Sequence, residues 1–481
     1  MKNVLLISLL AGSLAGCAGM RGVDREPRAT LVAPADVGAT GGAMHQWPSI
    51  RWWERYQDPG LNSLVDRALE QSPDLRLAEA RLAKAAAMAE QVGAQRWPTV
   101  DANANMARKR YAQEYDAGPP LAGNYGSAFT LGADAQYTFD FWGGQRAALR
   151  AALGETSARH AEIQAARLVL TSSIVSAWFE LAHSISMREL AEEAMEVRSQ
   201  TLRIVERRVR SGLDTEVEYQ QAQGDLPATE RDILRLTEQI ALQRHALSAL
   251  AGLPIDALSH AQPRTTSVAG GSIPASVPAA VVGHRPDVVA ARWRVEAASQ
   301  DVEAAKTDFY PNISLRAFAG FARQSLSVSL SDWLNAGSRT YGIEPAISLP
   351  IFDAGRLRAR YKGRAAELDA AIETYNQTLL IAVRDVADQL VSLEALALQS
   401  TAQARTLSTR QAAFDLARRQ YDAGLTDYLT VLNAQNVLLQ ERQQQLDLNT
   451  RALVLDAELN RALGGGFDAA DTTNNLAWKR P

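Results

Sequence analysis

Few side chains in this sequence are grouped in a way that could do chemistry. Its six histidines fall singly. No His-Glu-x-x-His pair or cysteine cluster stands ready to hold a zinc, and no glycine loop leads into a Lys-Ser/Thr pair that could cradle a phosphate. The triple glycine at 464–466 follows a helical pattern and reads as its terminator. Glu, Lys and Arg recur at the spacing of solvated helix faces. No catalytic residue, metal or cofactor is therefore assigned, and an enzyme is not expected. The one group with a chemical reading is Leu14-Ala15-Gly16-Cys17, which ends on the single cysteine of the chain. A lone cysteine excludes an intrachain disulfide, which leaves its thiol either free or a site of covalent modification.

In MKNVLLISLLAGSLAGC one Lys precedes an apolar run from Val4 to Ala15, too short to span a bilayer and laid out as a secretory signal. Its end resembles the bacterial lipobox, which implies a diacylglycerol and an N-acyl lipid on Cys17. In lipoprotein sorting an Asp after the cysteine is the usual inner-membrane retention signal, so Ala18 implies the outer membrane. Residues 1–16 are then a signal peptide and 17–59 a lipid-anchored N-terminal segment. With 481 residues, 47% of them hydrophobic, and a net charge of -4, the chain is no basic nucleic-acid binder and is long enough for one large or two to three ordinary domains. No later segment has about 18 consecutive apolar residues, so any further membrane crossing has to be made by strands.

The rest of the chain is written twice. SPDLRLAEARL at 72–82 parallels RPDVVAARWRV at 285–295, and RWPTVDANA at 96–104 parallels FYPNISLRA at 309–317. Pro73 and Pro286 are 213 apart (286 less 73), as are Pro98 and Pro311, while Gly212 and Gly424 are 212 apart. This internal two-fold repeat spans 60–252 and 284–464, with a Pro/Gly/Ser/Thr-rich linker at 253–283 and a tail at 465–481.

Each half opens with an Ala-rich helix that ends at Trp97-Pro98 or Tyr310-Pro311, since proline disfavours helix in the residue before it. Strands follow. Phe129, Leu131, Ala133, Ala135, Tyr137, Phe139 and Phe141 alternate with polar or small residues, as do Ile343, Pro345, Ile347, Leu349 and Ile351. Weaker alternation after Pro98 and Pro311 completes four strands, and polar loops near 112–127 and 324–338 join each pair. Long helices come next. Ile372, Leu379, Val386, Leu393, Ser400, Leu407, Phe414 and Tyr421 recur every seventh position, the spacing of a coiled-coil seam. At ~1.5 Å per residue such a helix is roughly 100 Å long. Gly424 in YDAGLTDYLTVLNAQ and Gly212 in RSGLDTEVEYQQAQ break the pattern at the same place in each half, as glycines that let one helix end and the chain reverse. Pro227 is expected to kink its helix.

The order helix, strand, loop, strand, helix puts Trp97, Trp142, Tyr310 and Phe352 at the helix–strand junctions. Aromatics at one level of a strand layer suggest a membrane-interface girdle, against the alternative of caps on a soluble core. Four strands are too few to close a barrel, for which about eight are needed, and an open sheet in lipid leaves backbone groups unpaired. Insertion therefore requires oligomers.

WWERYQDPGLNSLVDRALEQSPDLRLAEARL, HRPDVVAARWRVEAASQDVEAAKTDFYPNISL, ISLPIFDAGRLRA, RQYDAGLTDYLTVLNAQ and the trailing LNRALGGGF together resemble the TolC-type outer-membrane efflux factors, in their NodT-like lipoprotein branch. The match runs over essentially the whole mature chain. It implies a mixed α and β membrane protein: a homotrimer whose 12-stranded transmembrane β-barrel, four strands per chain, continues into a long periplasmic α-helical coiled-coil barrel. Such a channel would be the passive exit duct of a tripartite pump, docked to a periplasmic adaptor and an inner-membrane transporter and set in outer-membrane lipid. The rival reading is a lipid-anchored periplasmic scaffold or adaptor without a pore.

The resemblance also assigns sites. Gly212, Leu213, Gly424 and Leu425 become candidate adaptor contacts at the periplasmic tips. Tyr421 matches a gate tyrosine, and Asn433 falls where relatives often carry a gate aspartate. Three Asp would focus negative potential and favour cations, whereas Asn offers hydrogen bonds alone. Tyr421 and Asn433 are thus expected to hold the closed state by side-chain hydrogen bonds, with Asp427 counted at the gate. Asp422, Asp214, Glu216 and Glu218 keep the tip acidic.

Overall fold

Period-two alternation on either side of a polar loop gives antiparallel strands, and both halves supply such a pair. In the computed structural model, which describes residues 27–38, 47–114, 119–264, 281–326 and 334–468, they are β1 (Thr99–Arg110), β2 (Tyr125–Phe139), β3 (Asn312–Ser325) and β4 (Arg339–Ser348). Cys17 and the signal segment lie outside the described residues. The helices are α1 (Pro59–Gln71), α2 (Pro73–Ala94), α3 (Gly144–Arg210), α4 (Glu216–Leu250), α5 (Pro286–Thr307), α6 (Arg356–Asp422) and α7 (Tyr428–Ala462). Corresponding elements agree in length: α2 and α5 have 22 residues each, α3 and α6 have 67, α4 and α7 have 35.

The chain divides into two compact units. One comprises 83–157 and 292–374 with the N-terminal stretch to Thr30. Its four strands form a single antiparallel sheet in the order β1-β2-β3-β4, so β1 and β4 are edges. The register aligns Val100, Ala135, Ala317 and Ile343 in one row and Ala102, Ala133, Ala319 and Tyr341 in the next. Because neighbours in a row share a face, one side of the sheet is apolar from edge to edge. The other side carries Asn103, Asp134, Arg316 and Glu344. Gly132 and Gly320 face each other across β2 and β3, and a Cβ on Gly320 would collide with the carbonyl oxygen of Leu131. Beneath the sheet, Val302, Ala305, Phe309, Leu357, Tyr361, Leu368 and Ile372 form a small core.

Both strand-to-helix junctions of this unit are capped by a carboxylate. Asp140 accepts from the amides of Gln145 and Arg146 at 3.1 and 3.0 Å, and Asp353 from those of Gly355 and Leu357 at 3.0 and 2.7 Å. Each satisfies amides that open a long helix.

The second unit comprises 31–82, 158–291 and 375–481. Trp52, Trp53, Tyr56, Leu61, Leu64 and Val65 pack into its main core with Ile174, Trp178, Phe179, Leu181, Ile240, Leu247, Leu453 and Ala457. The run WWERYQDPGL is therefore core and cap together. Asp58 accepts from the amides of Gly60 and Leu61 and from Trp178 Nε1, all within 3.1 Å, and Tyr56 donates to Asp456 at 2.7 Å. The expected seam on α6 is present: Ile372, Leu379, Val386 and Tyr421 are buried, and Leu393, Ser400, Leu407 and Phe414 half-buried. α4 runs as one continuous helix that includes Pro227. One stretch of α3 is apolar and long enough to cross a membrane by length and composition, and most of it is buried within the protein.

Candidate functional site

Two regions concentrate the residues that sequence singles out. At the first, each hairpin turn is the same hydrogen-bonded device. Gly212 donates to Val209 O at 3.0 Å and Leu213 to Arg208 O at 2.9 Å; Gly424 donates to Tyr421 O at 2.9 Å and Leu425 to Gln420 O at 2.8 Å. These paired bonds close a helix C-terminus around a left-handed residue. Gly212 has φ 71° and Gly424 φ 74°, and a Cβ at either would meet nothing within 4 Å. Backbone conformation alone selects glycine there. The leucines that follow point outward, Leu213 66% and Leu425 78% exposed.

The returning helices are capped at once. Thr215 and Glu218 form a reciprocal capping box at α4, and Asp427 caps α7 by accepting from the Thr430 amide at 2.9 Å and its hydroxyl at 2.7 Å. Asp427, expected at the gate, is within this chain a helix cap. The Thr430 bonds hold its carboxyl below the ordinary carboxylate range, and the Thr215 hydroxyl does the same for Glu218. A pKa lowered by folding gives stability that is present above the unfolded value near ~4 and lost as pH falls through the lowered one. Hydrogen-exchange protection at Thr430 is therefore expected to drop as pH falls below about 4, whereas Asp427→Asn, which keeps a cap without titrating, holds it level.

Behind the turns, Val205, Ala222, Ala417, Tyr421, Tyr428 and Val431 pack together as the four helix ends meet. Tyr421 is buried, and its hydroxyl donates to Asp214 Oδ2 at 2.6 Å. Arg208 Nε donates to the same carboxylate at 3.0 Å, and its guanidinium lies 4.5 Å from the Tyr421 ring centroid. Burial and then the Asp214 carboxylate push the Tyr421 hydroxyl far above the ordinary phenol range, so it stays a neutral donor. The Asp214 bond raises the Arg208 guanidinium above its ordinary value. Tyr428 is likewise pushed up, to about 12, chiefly by burial. The structure thus pairs Tyr421 with Asp214 and Arg208 rather than with Asn433, whose side chain is exposed. Arg208 was not legible in sequence: its partners lie six and 213 positions away.

The second region is the strand layer. Trp97, Trp142, Tyr310 and Phe352 are all well exposed at the junctions where strands meet helices. Trp142 stacks on Tyr310 with ring centroids 4.8 Å apart and donates from Nε1 to Pro311 O at 2.8 Å. Val100, Met106, Tyr341, Ile343 and Ile347 stand exposed on the apolar face above them.

The sheet thus has one apolar and one polar face, and the same chain carries two long helical hairpins. The chain belongs to the outer membrane efflux protein family, whose model matches residues 64–253 and 277–465. It is 30% identical over 482 residues to the multidrug resistance outer membrane protein MdtP of Escherichia coli K12, covering 98% of each chain. It is 36% identical over 369 residues to the fusaric acid resistance protein FusA of Burkholderia cepacia, covering 75% of this chain and 69% of FusA. Among solved structures, the outer membrane protein VceC of Vibrio cholerae superposes with a TM-score of 0.82 at 37% identity, covering 88% of this chain and all of VceC. The chain is thus an outer-membrane efflux protein, with a transport role.

Proposed function

We propose that three copies of the chain close a 12-stranded barrel in the outer membrane and continue it as a periplasmic barrel of helices, forming the passive exit duct of a tripartite efflux pump. The observation that carries this reading is the sheet itself. Its apolar face is continuous across four strands, yet β1 and β4 are left as edges. In lipid each unpaired edge group costs several kcal/mol, and joining β4 of one copy to β1 of the next removes every edge. The two halves act as repeats, each giving two staves and one hairpin. A lipid on Cys17 anchors the N-terminal segment, and the exposed aromatics Trp97, Trp142, Tyr310 and Phe352 set the periplasmic interface.

Leu213 and Leu425, held outward by their glycine turns, offer six apolar contacts per trimer to a periplasmic adaptor, which couples the duct to an inner-membrane transporter. Small toxic molecules are the cargo, and the transporter supplies energy and selection. The bond of Tyr421 to Asp214 ties the two hairpins of one chain in the closed state. Asn433 adds a polar, uncharged ring, and Asn433→Asp is expected to raise cation selectivity and divalent-cation block of single channels. Unchanged conductance and block would remove position 433 from the gate.

Cysteine pairs placed along β1 and β4 test the assembly. A pair in register across copies, such as Ala102→Cys with a scan of β4, is expected to give a covalent trimer on non-reducing gels. Monomers at every β4 position would sink the barrel.

A further inference from the structure

The apolar face of the sheet ends differently at its two ends. Toward the helices it finishes in aromatics. Toward the connecting loops it changes to arginine: Arg108 and Arg110 at the end of β1, Arg323 near the end of β3 and Arg339 at the start of β4 all share the face of Leu131 and Ala133. Strand alternation sends Lys109, between the first two, to the opposite face. Those four arginines are the only charged residues of the strands on the apolar side. Every carboxylate of the strands, Asp101, Asp134 and Glu344, lies on the other side. Among the described residues of the two connecting loops, Glu114 is the only carboxylate. Arg108, Arg110 and Arg339 are exposed.

The position of this rim follows from the rise of the strands. From Phe139 to Phe129 the apolar face spans eleven residues of β2, ten steps of rise. At ~3.4 Å per residue and a tilt of about 40° that is roughly 26 Å of height, close to the apolar band of an outer-membrane barrel. The register sets Arg323 beside Phe129, at the level where that band gives way to head groups, with Arg108 and Arg110 beyond it, level with Ser127 and Tyr125, and Arg339 beside Phe321, one row inside it. A rim that needed only to be wet would do as well with mixed charge. One sign and one residue type, on the outward face, match an anionic partner, and the guanidinium fork matches phosphate oxygens in pairs.

We propose that this arginine rim binds the phosphate groups of outer-leaflet glycolipid, twelve guanidinium groups encircling a trimer. The inference rests on the closed-barrel reading with the strand loops turned outward. It is tested by native mass spectrometry of the purified channel mixed with bisphosphorylated lipid A, dephosphorylated lipid A or phosphatidylethanolamine, each sample checked for a heat-labile trimer on an unboiled gel. Wild type is expected to retain the bisphosphorylated lipid at least tenfold better than the other two, and less so as salt rises. The combined variant R108Q/R110Q/R339Q is expected to lose that preference and each single variant to lose part of it, while K109Q, on the other face, keeps it. Equal retention of the three lipids by a wild-type trimer, or undiminished preference in both the single and the combined variants, overturns the rim. A wild-type chain that gives no trimer overturns the barrel reading instead, so the two failures are distinguishable.

Discussion

Asp214→Ala is expected to leave the trimer assembled and to raise its single-channel conductance several-fold. At the hairpin ends one carboxylate, almost wholly buried, takes bonds from two sides: Arg208 of its own hairpin at 3.0 Å and Tyr421 of the other at 2.6 Å. Hydrogen bonds to a charged group are worth about 1.5 to 3 kcal/mol each, and losing one partner strands the other. Three chains lose the link together, so the closed state weakens by several times that amount. Tyr421→Phe removes one bond and keeps the ring beneath Arg208, so its effect has the same sign and is smaller. Packing of Val205, Tyr428 and Val431 survives both changes, which is why opening rather than unfolding is the expected outcome. If conductance of both variants equals wild type, the link does not hold the channel closed.

Leu213→Glu combined with Leu425→Glu is expected to abolish adaptor binding while leaving conductance in planar bilayers unchanged. Both side chains are exposed and neither belongs to the packed cluster behind the turns, so the fold loses nothing. A leucine that becomes buried on docking contributes about 1.5 to 3 kcal/mol, and a trimer presents six of them. Replacement by glutamate also places a charge where a dry contact would form. Co-purification with the cognate adaptor reads the effect directly: wild-type capture falls below detection in the double variant. Undiminished capture would move the docking surface away from the turns.

The elements that sequence located well are those governed by local rules. Glycine at the hairpin turns is demanded by a positive φ that few other residues adopt, so Gly212 and Gly424 announced the reversals. Alternation over β2 and β4 revealed the strands, since a residue's neighbours on a face are two positions away. Tyr421 stood out through its heptad position, yet its partners did not, because Asp214 lies 207 positions away in the other half. Long-range pairing leaves no periodic trace. Asp427 has a local role that its spacing also carries: three residues before Thr430, it accepts from that residue's amide as the N-cap of α7. The segment WWERYQDPGL carried the family resemblance without showing what it packs on, and its two tryptophans and Tyr56 are core residues packed against α3. Aromatics before an Asp-Pro helix start are a signal for such packing that composition alone does not weigh.

Single-channel recording of the purified, unboiled protein in a planar bilayer tests the central claim most directly. The account predicts a heat-labile trimer that inserts as one unit and gives one discrete, reproducible conductance level. A monomer released from membranes by alkaline wash, with no conductance at any protein concentration, would contradict it.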